Sequence, residues 1–249
     1  MANVGTLIPA LLLALFLVAL LGGTTMTFLV LHWRRKELRA QEESSDLFKH
    51  FPISTIPLLK RPNTWLAVRS RSTHAVQATL GLNNAQPCTW LEGLAGDEKL
   101  FIAPPIKGWV LIVGSGLPDP ADDVDACFRF LVNLSHKLGH VQFFHADRVL
   151  GHHAWVRVEA GRVVRGYAWA GRTLWNQGAP TRPEIEFGLQ CFEYFETPER
   201  TTFDQFDSVP ANVEKVSWLA ARWSLDPYSI DEHLFEHAYG ITGEPPRLF

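Results

Sequence analysis

The chain has 249 residues, 47% of them hydrophobic and 20% charged, with 16 Phe, 9 Trp and a formal net charge of −3. That apolar and aromatic load is too high for an intrinsically disordered chain and is enough to bury a large core. Arg34, Arg35, Lys36 and Arg39 against Glu37 put about +3 in the first forty residues and leave about −6 for the rest, which disfavours contact with a nucleic-acid backbone.

The first element is a charge-free apolar run from Leu7 to Leu31. About 25 residues at ~1.5 Å each cross a ~30 Å hydrocarbon layer with some tilt. A cleaved signal peptide would be shorter and would begin with basic residues, and none precedes Leu7. Residues 1–33 therefore read as a retained single-pass transmembrane anchor. The basic cluster after it predicts that the C-terminal part faces the cytoplasm at an inner or plasma membrane. Three scattered cysteines, Cys88, Cys127 and Cys191, without a CxxC pair, fit a reducing compartment.

Residues 34–63 read as a basic stalk followed by a connector broken by Pro52, Pro57 and Pro62. Residues 64–249 read as one α+β domain. Thr64–Arg69 alternates as a strand. Ser72 caps a helix over Thr73–Leu82, with Gly81 and Asn83-Asn84 as stop signals. Pro87–Glu98 is expected as a loop. Leu100–Ala103 and Gly108–Val113 follow as strands.

Asp119 is expected to cap the next helix, with Pro120 at its first position. Val124, Cys127, Phe128, Leu131, Leu134 and Leu138 form its apolar stripe, and Gly139 ends it. Val141–His145 is a strand. The order βαββαβ over 64–145 is that of a ferredoxin-like antiparallel sheet with both helices on one face. Ala160-Gly161-Arg162 and Ala170-Gly171-Arg172 then mark two tight turns of a β-meander extending that sheet. Glu186–Phe195 is expected as a further strand. Two C-terminal helices are expected to cover one end of the sheet. Val213, Val216, Leu219, Ala220 and Trp223 form the face of one; Ser229-Ile230-Asp231-Glu232 opens the other.

No cofactor is expected. Gly114-Ser115-Gly116 sits where a phosphate-binding turn would lie, but Asp119, Asp122, Asp123 and Asp125 repel an anion there, so no nucleotide is expected. No metal is expected either, since the histidines between His136 and His153 lack ligand spacing.

The meander concentrates Trp155, Arg157, Arg165, Tyr167 and Trp169, residue types enriched at binding hot spots. Period-two alternation puts Val163, Arg165, Tyr167 and Trp169 on one face. If that face is open, it is a protein-binding surface. The function expected from sequence is then a membrane-anchored, cytoplasmic protein-binding domain: an adaptor, an assembly subunit or an immunity-type inhibitor. The alternative is a membrane-surface hydrolase or metal-dependent enzyme using the His-rich segment 136–153. It requires His145, His153 and Asp147 to converge in one pocket.

Overall fold

The computed structural model describes residues 62–95, 99–196, 208–230 and 238–246. The apolar run Leu7–Leu31, the basic stalk and the body of the helix expected after Ser229 lie outside these residues. Among the described residues, no helix is long and apolar enough to cross a membrane.

The fold is α+β around one large antiparallel sheet. Its strands are β1 (Thr64–Val68), β2 (Asn83–Cys88), β3 (Leu100–Ile102), β4 (Val110–Val113), β5 (His140–Asp147), β6 (His152–Glu159), β7 (Arg162–Trp169), β8 (Thr173–Gln177) and β9 (Gly240–Glu244). They lie in the order β2-β9-β3-β4-β1-β5-β6-β7-β8, every neighbouring pair antiparallel. The helices are α1 (Thr73–Leu80), α2 (Trp90–Ala95), α3 (Val124–Leu138), α4 (Arg182–Glu186) and α5 (Ser208–Trp223).

Helix α1 forms where its caps dictate. Ser72 accepts from the amide of Ala75, and Gly81 closes the helix in the left-handed conformation at φ 65°. Helix α3 keeps most of its expected stripe: Cys127, Leu131 and Leu134 are buried beside Leu66, Val110 and Ile112 of the sheet, while Phe128 is exposed. Its N-cap is Asp123, which accepts from the amide of Ala126, and not Asp119. Asp119 caps a preceding turn instead, accepting from the Ala121 amide at 2.8 Å. The reason is geometric: residues 119–122 are spent on a turn, so the helix opens only at Val124.

Helices α1 and α3 cover one face of the sheet, where Val76, Leu80, Leu131 and Leu134 join Val68, Ile102 and Phe143. Helix α5 covers the opposite face, where Val213, Val216, Leu219 and Ala220 pack with Trp65, Phe144, Trp155 and Tyr167. The expected end-cap is thus a third layer. Its stripe is the expected one, and Asp226-Pro227 falls in the turn that follows.

Three expectations are corrected by the chain's own long-range contacts. The segment expected as a loop, Pro87–Glu98, holds the end of β2 and all of α2, and β2 begins at the Asn83-Asn84 expected only as a stop signal. Strand β2 shows no apolar alternation because among the described residues it is a sheet edge, exposed for most of its length, tolerant of Pro87 and paired with β9 only. Residues 186–195 form no strand; α4 and irregular turns occupy the region. Finally, β7 carries a bulge: Arg157 pairs with Arg165 but Val158 with Val163. The extra residue puts Val163 on the α3 side and Arg165 on the α5 side, so the two do not share a face.

Candidate functional site

The meander residues are where the sequence places them along the strands, but their face is closed. Trp155, Arg165 and Tyr167 are fully buried and Trp169 is 5% exposed. Arg157 lies at the margin, half-buried, with its guanidinium 2.6 Å from Glu159. An exposed aromatic–arginine patch therefore does not exist on this face.

What exists there is a buried polar network. Thr181-Arg182-Pro183-Glu184 opens α4, and Glu184 Oε2 accepts from both the Thr181 amide and hydroxyl, at 2.6 and 2.7 Å. Its other oxygen accepts from Trp155 Nε1 at 2.7 Å and Arg165 Nε at 2.8 Å. Arg165 Nη1 donates to Asn176 Oδ1 and to the carbonyls of Gly166, Gln177 and Gly178. Its Nη2 donates to Cys191 Sγ at 3.0 Å. Glu184 is only 1% exposed. Burial pushes the Cys191 thiol up to about 12, with Glu184 adding and Arg165 opposing. A thiol held protonated is a poor nucleophile. The network fastens segment 176–192 over the sheet; it does not present reactive groups.

His145 and His153 do not converge. His145 pairs with Ala154 and His153 with Ala146 across the same two strands, so the rings leave opposite faces of the sheet. His153, 1% exposed, has Nδ1 at 3.0 Å from the Gly151 carbonyl and Nε2 at 3.3 Å from Asn212 Nδ2. That pattern fixes the neutral tautomer with the proton on Nδ1, and burial holds its pKa down at about 4. His145 lies under the α3 side, its Nδ1 2.8 Å from Thr64 Oγ1 and its Nε2 3.9 Å from Asp119. Burial lowers its pKa against the opposing pull of Asp119 and Asp147. Asp147 Oδ1 accepts from the amides of Val149 and Leu150 and so shapes the β5–β6 turn. Among the described residues, no group of three His, Cys, Asp or Glu could hold a metal ion.

Cys127 and the Gly-Ser-Gly turn are likewise structural. Burial first, then the Asp119 and Asp123 carboxylates, drive the Cys127 thiol up to about 12. Gly116 faces Pro245, and a Cβ there would lie 2.6 Å from Pro245 Cγ. The turn must be glycine-rich to let the chain after β9 pass over it.

That crossing helps to build a cleft of ≈ 470 Å³ on the α1–α3 face. Leu80, Leu100 and Leu134 form its buried floor with the half-buried Phe130. Pro118 and the Pro245-Pro246 pair wall one side. Arg129, Asn133 and Lys137 line the other, at positions i, i+4 and i+8 of α3, and all three are exposed. The cleft falls within the ~300–1,000 Å³ span of ligand sites and joins an apolar floor to a few polar groups. These residues carry no joint signature in the sequence, because half belong to segments far apart in the chain. The one local signal was Arg129, Asn133 and Lys137 recurring every four residues on a helix.

Comparison with known proteins finds no matching family model, no matching curated protein and no matching solved structure.

Proposed function

We propose that this chain is a membrane-anchored binding module whose domain faces the cytoplasm and engages a protein partner through the α1–α3 cleft. The apolar run Leu7–Leu31 and the basic residues after it support the anchor and its orientation. Within the domain, the order β3-β4-β1-β5 with α1 and α3 on one face supports a ferredoxin-like unit over 64–147, extended by the meander.

The observation that carries the functional reading is the cleft: an apolar floor of Leu80, Leu100 and Leu134 edged by Arg129, Asn133 and Lys137. The enzymatic alternative needs His145, His153 and Asp147 in one pocket, and the opposite-facing rings count against it.

A photo-crosslinking residue placed at Asn133 of the full-length, membrane-inserted chain tests this. The control position is Arg182 on α4, whose side chain is 87% exposed. A discrete protein adduct at position 133 and none at 182 is expected. The same pattern at both positions, or no adduct at 133, overturns the reading. A reporter fused after Phe249 should be active only on the cytoplasmic side.

A further inference from the structure

The charge of the cleft is opposite to that of the domain around it. Beyond the first forty residues the chain carries about −6. The charged residues lining the cleft are nevertheless Arg129 and Lys137, with no carboxylate among the lining residues; Asp125 lies one turn before Arg129 but outside the lining. Eight positions apart on α3, they stand about 12 Å apart along the helix axis, with Asn133 between. Arg148, Arg157, Arg165, Arg182 and Arg222 all have carboxylates within 4.0 Å; among the described residues Arg129 and Lys137 have none, like Arg71, Lys99, Lys107, Arg162 and Arg172, but only these two line the cleft. Two exposed cations with no carboxylate within 4.0 Å among the described residues thus edge an apolar floor.

We propose that the cleft takes an acidic amphipathic peptide segment of the partner protein. Its apolar side chains lie on Leu80, Leu100 and Leu134, and two carboxylates meet Arg129 and Lys137. This names the ligand class of the site in the binding-module reading and rests on that reading. In a helical segment, carboxylates about 12 Å apart are about eight residues apart; in an extended segment, about four. Leucine packing alone would accept any apolar segment. The two cations set the discrimination, because a lysine-bearing segment would bring like charges together at both ends. Arg129 can hold a carboxylate through paired N–H groups, whereas Lys137 acts as a point charge.

The test uses the full-length chain in nanodiscs of phosphatidylcholine and two synthetic peptides read by fluorescence anisotropy. Both carry the same leucine face; one is flanked by glutamates, the other by lysines. The glutamate peptide is expected to bind at least about tenfold more tightly and to weaken as salt is raised. Arg129→Glu with Lys137→Glu should invert the preference. Arg129→Gln with Lys137→Gln should abolish it without inverting it. Both pairs change exposed side chains, so an unaltered thermal midpoint accompanies the expected result. Equal binding of the two peptides, binding of neither, or a preference that survives the charge reversal overturns the proposal. If that happens while the adduct at position 133 persists, the ligand class is wrong and the binding module stands. If the adduct is absent and the glutamate peptide still binds with this charge dependence, the cleft chemistry stands and the membrane-module reading falls.

Discussion

Arg165 and Glu184 form an ion pair at 2.8 Å with the guanidinium side chain 0% and the carboxylate side chain 1% exposed. Nineteen positions apart, they join β7, the middle strand of the meander, to the first turn of α4. Removing one member leaves the other charged and buried. Such breaks cost about 3–5 kcal/mol, much more than the net worth of the intact pair. Glu184→Gln and Arg165→Ala should each lower urea-derived stability by that amount. The double substitution should cost less than the sum, which a double-mutant cycle reads directly.

Trp169 offers a second check on the closed face. It is 5% exposed and lies 5.1 Å from the ring of Phe192, centroid to centroid. Trp169→Ala should cost about 3–5 kcal/mol in stability. A midpoint that barely moves would mean the 187–192 segment does not cover the meander in solution.

His153 predicts a pH dependence with a definite sign. Its folded pKa of about 4 lies below the ordinary value of 6.5. As pH falls, the unfolded chain therefore takes up the proton first. The stabilisation is fully present above pH 6.5 and is lost as pH falls towards about 4, on the order of 3 kcal/mol in total. Burial lowers His140 and His145 as well, so they add to the same slope. His153→Gln can donate to Gly151 and accept from Asn212 without titrating. Its stability should lose about one proton's worth of slope across that window, measured by urea denaturation at a series of pH values.

Helix α3 should weaken by about 1 kcal/mol in Asp123→Ala and recover most of that in Asp123→Asn, since the side-chain acceptor is restored. Asp119→Ala leaves the bond from Ala126 to Asp123 in place. Thermal midpoints of the three variants separate the two aspartates.

Gly240 stands where β9 crosses Phe101. A Cβ on it would lie 2.6 Å from the Ile102 carbonyl oxygen and would also strike the Phe101 ring, which Gly93 of α2 crowds as well. Gly240→Ala should cost roughly 1–3 kcal/mol through overpacking alone. A neutral effect in urea denaturation would mean that β9 does not sit at this depth in the sheet.

The parts of the fold that were legible in the sequence are those whose reasons are local. The α3 stripe repeats at helical spacing from Cys127 to Leu134 and ends at Gly139. The meander announces itself through two Ala-Gly-Arg turns, the first with Ala160 and Gly161 at φ 46° and 77°. Two capping boxes are equally local signals, though no apolar periodicity accompanies them. Thr89 and Glu92 open α2, with the Thr89 amide and hydroxyl 2.9 and 2.8 Å from the carboxylate; Thr181 and Glu184 open α4. Other features had no local signature. Alternation puts Trp155 and Tyr167 on a common face, but it cannot say that α5 and residues 187–192 lie over that face. The bulge in β7 exchanges the faces of Val163 and Arg165 without any residue that marks it. Strand β2 is a strand only because β9 reaches it, and the cleft exists only where α1, α3 and Pro245-Pro246 meet.

The place of β9 also sets the order in which the domain can be completed. Its residues pair with β2 on one side and β3 on the other, joining Asn84 to Glu244 and Leu100 to Thr242. Until Gly240–Glu244 has left the ribosome, β2 has no neighbour, the edge of β3 is unpaired, and the prolines that wall the cleft are missing. Contacts this distant in sequence form slowly, because loop closure must precede any pairing. The nascent chain would therefore present an open strand edge to its surroundings until β9 emerges, and the cleft on the α1–α3 face could not close before then.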